Sequence, residues 1–202
     1  MLGCDVILCV YRSLFPTSKC LFMYRDPVMT AKSCHRLSMV RPSLRLAYLL
    51  SSLSGRITKT YVDAFGADGS NFCVRLDNDL TGGVLRYAMA TISYRDMRRR
   101  GYDISALRYE DLIARPLDMC RILLEFCNLP VSLAEVAVKA FGVDSQRNST
   151  LSKSVMESFK ELQLTPQTKA KLNQLLKKCG IPLIGETHIL EGTLSCSPCS
   201  FL

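Results

Sequence analysis

The run KCLFMYRDPVMTAKS, residues 19–33, constrains the fold of this chain more than any other stretch. Lys19 to Tyr24 is a short apolar segment that stops at a charge, the pattern of a buried strand in a parallel sheet. Asp26 then has the side chain of an N-cap, and Pro27 suits the first position of a helix. Strand, tight turn and helix in direct succession make an α/β layer. Such a corner can also hold an anion. A helix N-terminus offers unpaired N–H groups and a partial positive charge. Arg25, at the strand end, adds a planar fork matched to phosphate oxygens. Ser33, about two turns along, can lean back, because helical side chains point toward the N-terminus. In open α/β sheets ligands bind beyond the carboxyl ends of the strands, where Arg25 stands. The same residues also describe an arginine paired with a surface carboxylate and a helix serine facing water.

The rest of the chain alternates in a compatible way. Residues 5–15 read as a helix closed by Pro16, and 41–53 as a second, with Leu44, Ala47 and Leu50 on one side. AFGADGSN, 64–71, is a loop. A long helix is expected over 77–100, with Gly82-Gly83 as a possible break and Gly101 as its C-cap. Its last turns carry Arg95 and Arg98 to Arg100. Cations near a helix C-terminus have an ordinary dipole explanation, preferred here over a nucleic-acid patch because few aromatics stand among them to stack bases. DISALRYEDL, 103–112, reads as a second strand turning into a helix. Further helices are expected from Pro116, with Leu117, Cys120, Leu123 and Cys127 on one face, around Leu133 to Phe141, and from Pro166 behind a Thr165 cap. The last of these carries a stripe of Leu172, Leu175, Leu176 and Cys179 and ends at Gly180 and Pro182. The tail beyond Pro182 is expected to be irregular.

Length and composition set outer bounds. A chain of 202 residues suits one domain with a sizeable core. The net charge of +8 favours anionic partners, or serves only solubility. Most of the ten cysteines sit in apolar runs, as reduced thiols do, and the lone Cys196-x-x-Cys199 has no second pair and few histidines to complete a zinc site. No metal is expected. No run reaches the ~18 apolar residues of a membrane span, and MLGCDVILCVYRSLF lacks the basic start of a signal peptide.

Three stretches, in order, resemble the C-terminal portion of sulfotransferases that use 3′-phosphoadenosine 5′-phosphosulfate. FPTSKCLFMYRDPVMTAKS is similar to the family's 3′-phosphate segment, LRYEDLIARP to its Tyr-Glu-Asp-Leu segment, and GVDSQRNSTLSKS to a late polar loop. The resemblance spans roughly residues 5–193. It implies an α/β fold: an incomplete P-loop-NTPase-like three-layer sandwich, with a short parallel sheet flanked by many helices. The partial domain would occupy 1–184, with 185–202 as its tail. It implies that Arg25 and Ser33 hold the cofactor's 3′-phosphate and that Tyr109 lies at the adenine, with Glu110 and Asp111 serving the next helix start. Arg147 or Lys153 would stand in for the family's late Arg-Lys-Gly element, which is absent; a solvated loop, with Asn148 opening a glycosylation sequon, is the other reading. Partners would be the nucleotide sulfate donor and a hydroxylated small molecule or carbohydrate acceptor, with no nucleic acid. The compartment would be cytoplasmic, or the Golgi lumen if a membrane anchor lies upstream.

The departures are as informative. No glycine-rich Lys-Ser/Thr loop occurs to grip a 5′-phosphosulfate, and neither His35 nor His188 falls where the family places its base. Sulfuryl transfer needs positive charge on the departing phosphate and a base on the attacking oxygen. The expectation is therefore a truncated sulfotransferase without catalytic residues of its own; the alternative is a non-catalytic adenosine-phosphate-binding or interaction module. Loss of the loop-bearing central strand should leave unpaired edges and exposed apolar faces, hence marginal stability.

Overall fold

The computed structural model describes residues 18–40, 43, 46, 49, 50, 53–64, 79–143, 152, 154, 155, 158 and 163–195. The elements, in order, are β1 (Cys20–Tyr24), α1 (Pro27–Val40), α2 (Gly55–Ala64), α3 (Asp79–Arg99), β2 (Ile104–Arg108), α4 (Tyr109–Ala114), α5 (Pro116–Phe126), a 3-10 turn (Val131–Leu133), α6 (Ala134–Ala140) and α7 (Pro166–Lys178). The fold is mixed α/β and mostly helical, around a two-stranded parallel sheet. Among the described residues no helix is long and apolar enough to cross a membrane.

Strands β1 and β2 pair in parallel with Phe22 opposite Ala106 and Tyr24 opposite Arg108. The long helical crossover between them is what a parallel pair requires. Burial in β2 covers both faces, with Ile104, Ala106 and Leu107 all inside. By contrast β1, expected to be buried, alternates: Tyr24 is inside while Leu21 and Met23 are exposed. Only one of its faces is covered by described residues.

Local chemistry explains the α1 start. The Asp26 carboxylate accepts from the backbone N–H groups of Val28 and Met29, each at 2.9 Å, so two orphan donors of the first turn are satisfied. Thr165 does the same for α7, accepting from the Thr168 N–H at 3.2 Å behind Pro166. That helix buries Leu172, Leu175 and Leu176, and Gly180 ends it in the left-handed region at φ +61°.

Helix α3 runs without a break through Gly82 and Gly83. The glycines permit close approach instead. A Cβ on Gly83 would lie 2.5 Å from the Ala31 Cα, so the backbones of α1 and α3 nearly touch there. Around this crossing a core forms from Ala31, Val84, Ala88, Leu172 and Leu176. A second cluster joins Tyr24, Tyr94, Ile104, Ala106 and Leu190; a third joins Leu107, Leu112 and Met119.

Two helical faces differ from expectation. In α5 the buried pair is Met119 and Cys120, and Cys127 is exposed. The apolar residues there cover more than one side, so periodicity alone does not fix which side packs. Similarly, the described positions of 43–53 are helical, but Leu50 is exposed, in a segment whose leucines lie all round. The segment 181–195 contains no helix. It is nonetheless tied in as a strap: Thr193 bridges to Ala106, which donates to the Gly192 carbonyl at 2.9 Å and accepts from the Leu194 N–H at 2.8 Å.

Candidate functional site

A cavity of about 480 Å³ opens at the carboxyl end of β1, between α1, α3 and the start of α4. The strand contributes Phe22 to Arg25, α1 contributes Thr30 and Cys34, α3 contributes Arg86, Tyr87 and Ala90, and α4 contributes Tyr109. Each helical pair, 30/34 and 86/90, is spaced one turn apart, so one face of each helix forms a wall. Two arginines and no carboxylate are found among the described lining residues.

Arg25 and Tyr109 come together as the strand order requires. The guanidinium carbon lies 4.7 Å from the Tyr109 ring centroid, a cation–π arrangement. The parallel register places the ends of β1 and β2 side by side, so residues just past both strands meet. Glu110 pins this corner. Its Oε1 accepts from the Asp26 backbone N–H at 2.8 Å and stands 3.9 Å from Arg25 Nε, while its Oε2 stands 3.6 Å from Arg108 Nε. Glu110 and Asp111 occupy the first turn of α4, and Glu110 also joins the ends of the two strands. Arg25 Nε is buried and makes no hydrogen bond among the described residues. The guanidinium is therefore held in place but only partly neutralised.

Ser33 lies on α1 as expected, but it is exposed and does not line the cavity; the lining hydroxyl of α1 is Thr30, three residues earlier. Arg147 and Lys153 lie outside the described residues. Sequence reasoning did not single out Thr30, Cys34, Arg86 or Tyr87. The signal available was the one-turn repeat on two helices, readable only once their crossing at Ala31 and Gly83 is known.

Behind the cavity, Tyr24, Tyr87 and His188 form a buried aromatic cluster. The Tyr87 hydroxyl bonds to His188 Nδ1, and Tyr24 donates to the His188 carbonyl at 3.5 Å. His188 Nε2 is buried without a hydrogen-bond partner among the described residues. Burial, with the nearby Arg95 and Arg108 charges, pushes the imidazole down to about 4, so it is neutral at neutral pH. Burial likewise raises the Tyr87 phenol and the Cys34 thiol, the latter opposed by the Arg86 charge. His188 does not line the cavity, and neither does His35 on α1.

Comparison with family models, curated proteins and solved structures finds no match to this chain. The site is thus read from its own chemistry. Aromatic rings with two guanidiniums and a hydroxyl suit a planar, anionic ligand of mononucleotide size. Among the described residues no cluster of His, Cys, Asp or Glu is arranged for a metal, and Cys20, Cys34, Cys120, Cys127 and Cys179 carry free thiols.

Proposed function

We propose that this chain is a sulfotransferase-like protein whose cavity holds the nucleotide of 3′-phosphoadenosine 5′-phosphosulfate, within an incomplete P-loop-NTPase-like layered fold. One observation carries the reading: Arg25 lies over the Tyr109 ring at the end of β1, at the mouth of a cavity with a second arginine. The guanidinium suits a phosphoryl group and the ring suits a purine, the two parts of one ligand. Sulfuryl transfer to a hydroxyl acceptor is the activity that the sequence resemblance attaches to such a site.

A binding role without turnover is the second reading. It is favoured by the placement of the imidazoles: His188 is buried and depressed to about 4 behind Tyr87, and His35 does not line the cavity. A base must reach the proton it removes.

The test is titration with adenosine 3′,5′-bisphosphate, followed by calorimetry, for the natural chain and Arg25→Ala. Saturable binding lost on substitution supports the site; no binding by the natural chain removes it. Release of labelled sulfate from the donor to a hydroxyl acceptor separates enzyme from binding module. A salt series with single-stranded DNA checks the competing basic-patch reading, since nucleic-acid affinity falls steeply with salt.

A further inference from the structure

We infer that the leucine face of residues 43–53, with Ile57 just beyond it, lies on an anionic lipid surface without crossing it; this is independent of the nucleotide site. The described positions of 43–53 are helical. Leu46, Leu49, Leu50 and Leu53 are between 42% and 60% exposed. Their spacing of three, one and three positions puts them on one side of a helix, with Leu44 falling on the other. Ile57, in the first turn of α2, is exposed too, as is Arg56 beside it. Single apolar residues at a surface need no explanation, but a contiguous row of them marks an interaction face.

The charge of the surrounding sequence decides what covers that face. Between Asp26 and Asp63 there is no Asp or Glu, while Lys32, Arg36, Arg41, Arg45, Arg56 and Lys59 all fall there. Lys59 is engaged by Asp63 at 2.6 Å, so the weight rests on the arginines that flank the leucines in sequence. A second copy of this chain would bring the same acid-free stretch against this one, cation facing cation with no carboxylate from either stretch between them. A single-stranded nucleic acid would meet the cations but gain little from leucines, since its bases stack on aromatic rings. An anionic membrane satisfies both halves. The leucines enter the boundary between headgroups and acyl chains, and the arginines stay among the headgroup phosphates and carboxylates. The net charge of +8 adds attraction at longer range. Contact is in the plane of the surface: among the described residues no helix is long and apolar enough to span.

The sequence contains no tryptophan, so Leu50→Trp places a single reporter on the face. Vesicles of phosphatidylcholine with about 30% phosphatidylserine are compared with vesicles of phosphatidylcholine alone. On the anionic vesicles the Leu50→Trp emission should move to the blue, and high salt should reverse the shift. Val136→Trp, at an exposed position on α6, should not shift. In co-sedimentation with the same vesicles, Leu46→Ser combined with Leu50→Ser should lower partitioning about tenfold or more. Arg45→Gln with Arg56→Gln should lower it roughly fivefold per cation removed. Thermal unfolding confirms that each variant is folded. Failure of the natural chain to bind the anionic vesicles overturns the inference. So does equal binding to neutral vesicles, an unchanged affinity in the leucine variant, or a shift at Val136→Trp that matches Leu50→Trp. Self-association without lipid that is lost in the leucine variant would assign the face to a second copy instead.

Discussion

Gly83 presses against Ala31 so closely that a Cβ added at Gly83 would stand 2.5 Å from the Ala31 Cα and 2.9 Å from its Cβ. This contact sets the spacing of α1 and α3, and with it the distance between the two helical walls of the cavity. Gly83→Ala brings two opposing effects. Alanine favours a helix interior by about 1 kcal/mol over glycine. Overpacking against backbone costs about 1–3 kcal/mol, and a backbone Cα cannot rotate aside. The overpacking should win, giving a net loss measurable by denaturant unfolding. Ala31→Gly added to Gly83→Ala should restore little, because the shorter contact is to Cα and remains. Full recovery in the double variant would mean that the helices are free to separate.

Glu110 competes with any anion for Arg25. Its carboxylate faces Arg25 at 3.9 Å and Arg108 at 3.6 Å while accepting the Asp26 N–H. Glu110→Gln keeps the amide oxygen as acceptor but removes the negative charge. Affinity for adenosine 3′,5′-bisphosphate should rise roughly two- to fivefold, the scale of a partly exposed ion pair, while the melting temperature falls. Calorimetry and thermal unfolding on the same sample read both. A drop in affinity would show that Glu110 orients Arg25 more than it screens it.

His188 gives the pH dependence. Its folded value of about 4 lies below the ~6.5 of a free imidazole, so the unfolded chain takes up the proton first as pH falls. The stability linked to neutral His188 is fully present above about pH 6.5, declines from there to about pH 4, and changes no further below. The loss is at most about 3 kcal/mol. His188→Gln should flatten the unfolding profile over that window relative to the natural chain, with carboxylate titration common to both. Parallel profiles would show that the imidazole is not buried in solution.

Much of this architecture could be read from the chain, because its signals are local. The β1 end, the Asp26 cap with Pro27, the β2-to-α4 turn and the Thr165 cap each need only a few adjacent residues, and each stands where the pattern put it. What was hidden depends on contacts distant in sequence. Gly83 read as a possible helix break; its role against Ala31 exists only once two helices cross. Likewise His188 looked like a residue of an irregular tail, although 101 positions separate it from its partner Tyr87. Arg25 and Tyr109 were singled out separately, Arg25 for its place at a strand end and Tyr109 through the resemblance, and their contact follows from the parallel register of the two strands. Thr30 and Arg86 were not, since nothing in either helix alone says which face looks into a cavity.

The arginine-rich end of α3 tests how the strap is held. Arg95 donates to the Gly180 carbonyl at 2.8 Å, and Arg98 donates to the Ile104 carbonyl at 2.7 Å while its Nη2 meets Glu191 at 3.3 Å. Gly192 packs on the Arg98 guanidinium, where a Cβ would come within 2.6 Å of Nη1, and Tyr94 donates to the Glu191 carbonyl at 2.6 Å. The contributions are unequal. The Glu191 side chain is 87% exposed, so its ion pair is worth about 0–1 kcal/mol and Glu191→Gln should be nearly silent. Arg98→Met removes the 2.7 Å donor to the Ile104 carbonyl and leaves it the Tyr94 hydroxyl at 3.4 Å, costing about 1 kcal/mol. Hydrogen exchange should localise the change: the Ala106 and Leu194 amides, bonded across the strap junction, should lose protection in Arg98→Met and keep it in Glu191→Gln. Equal loss in both variants would move the weight of the latch from the carbonyl contact to the surface ion pair.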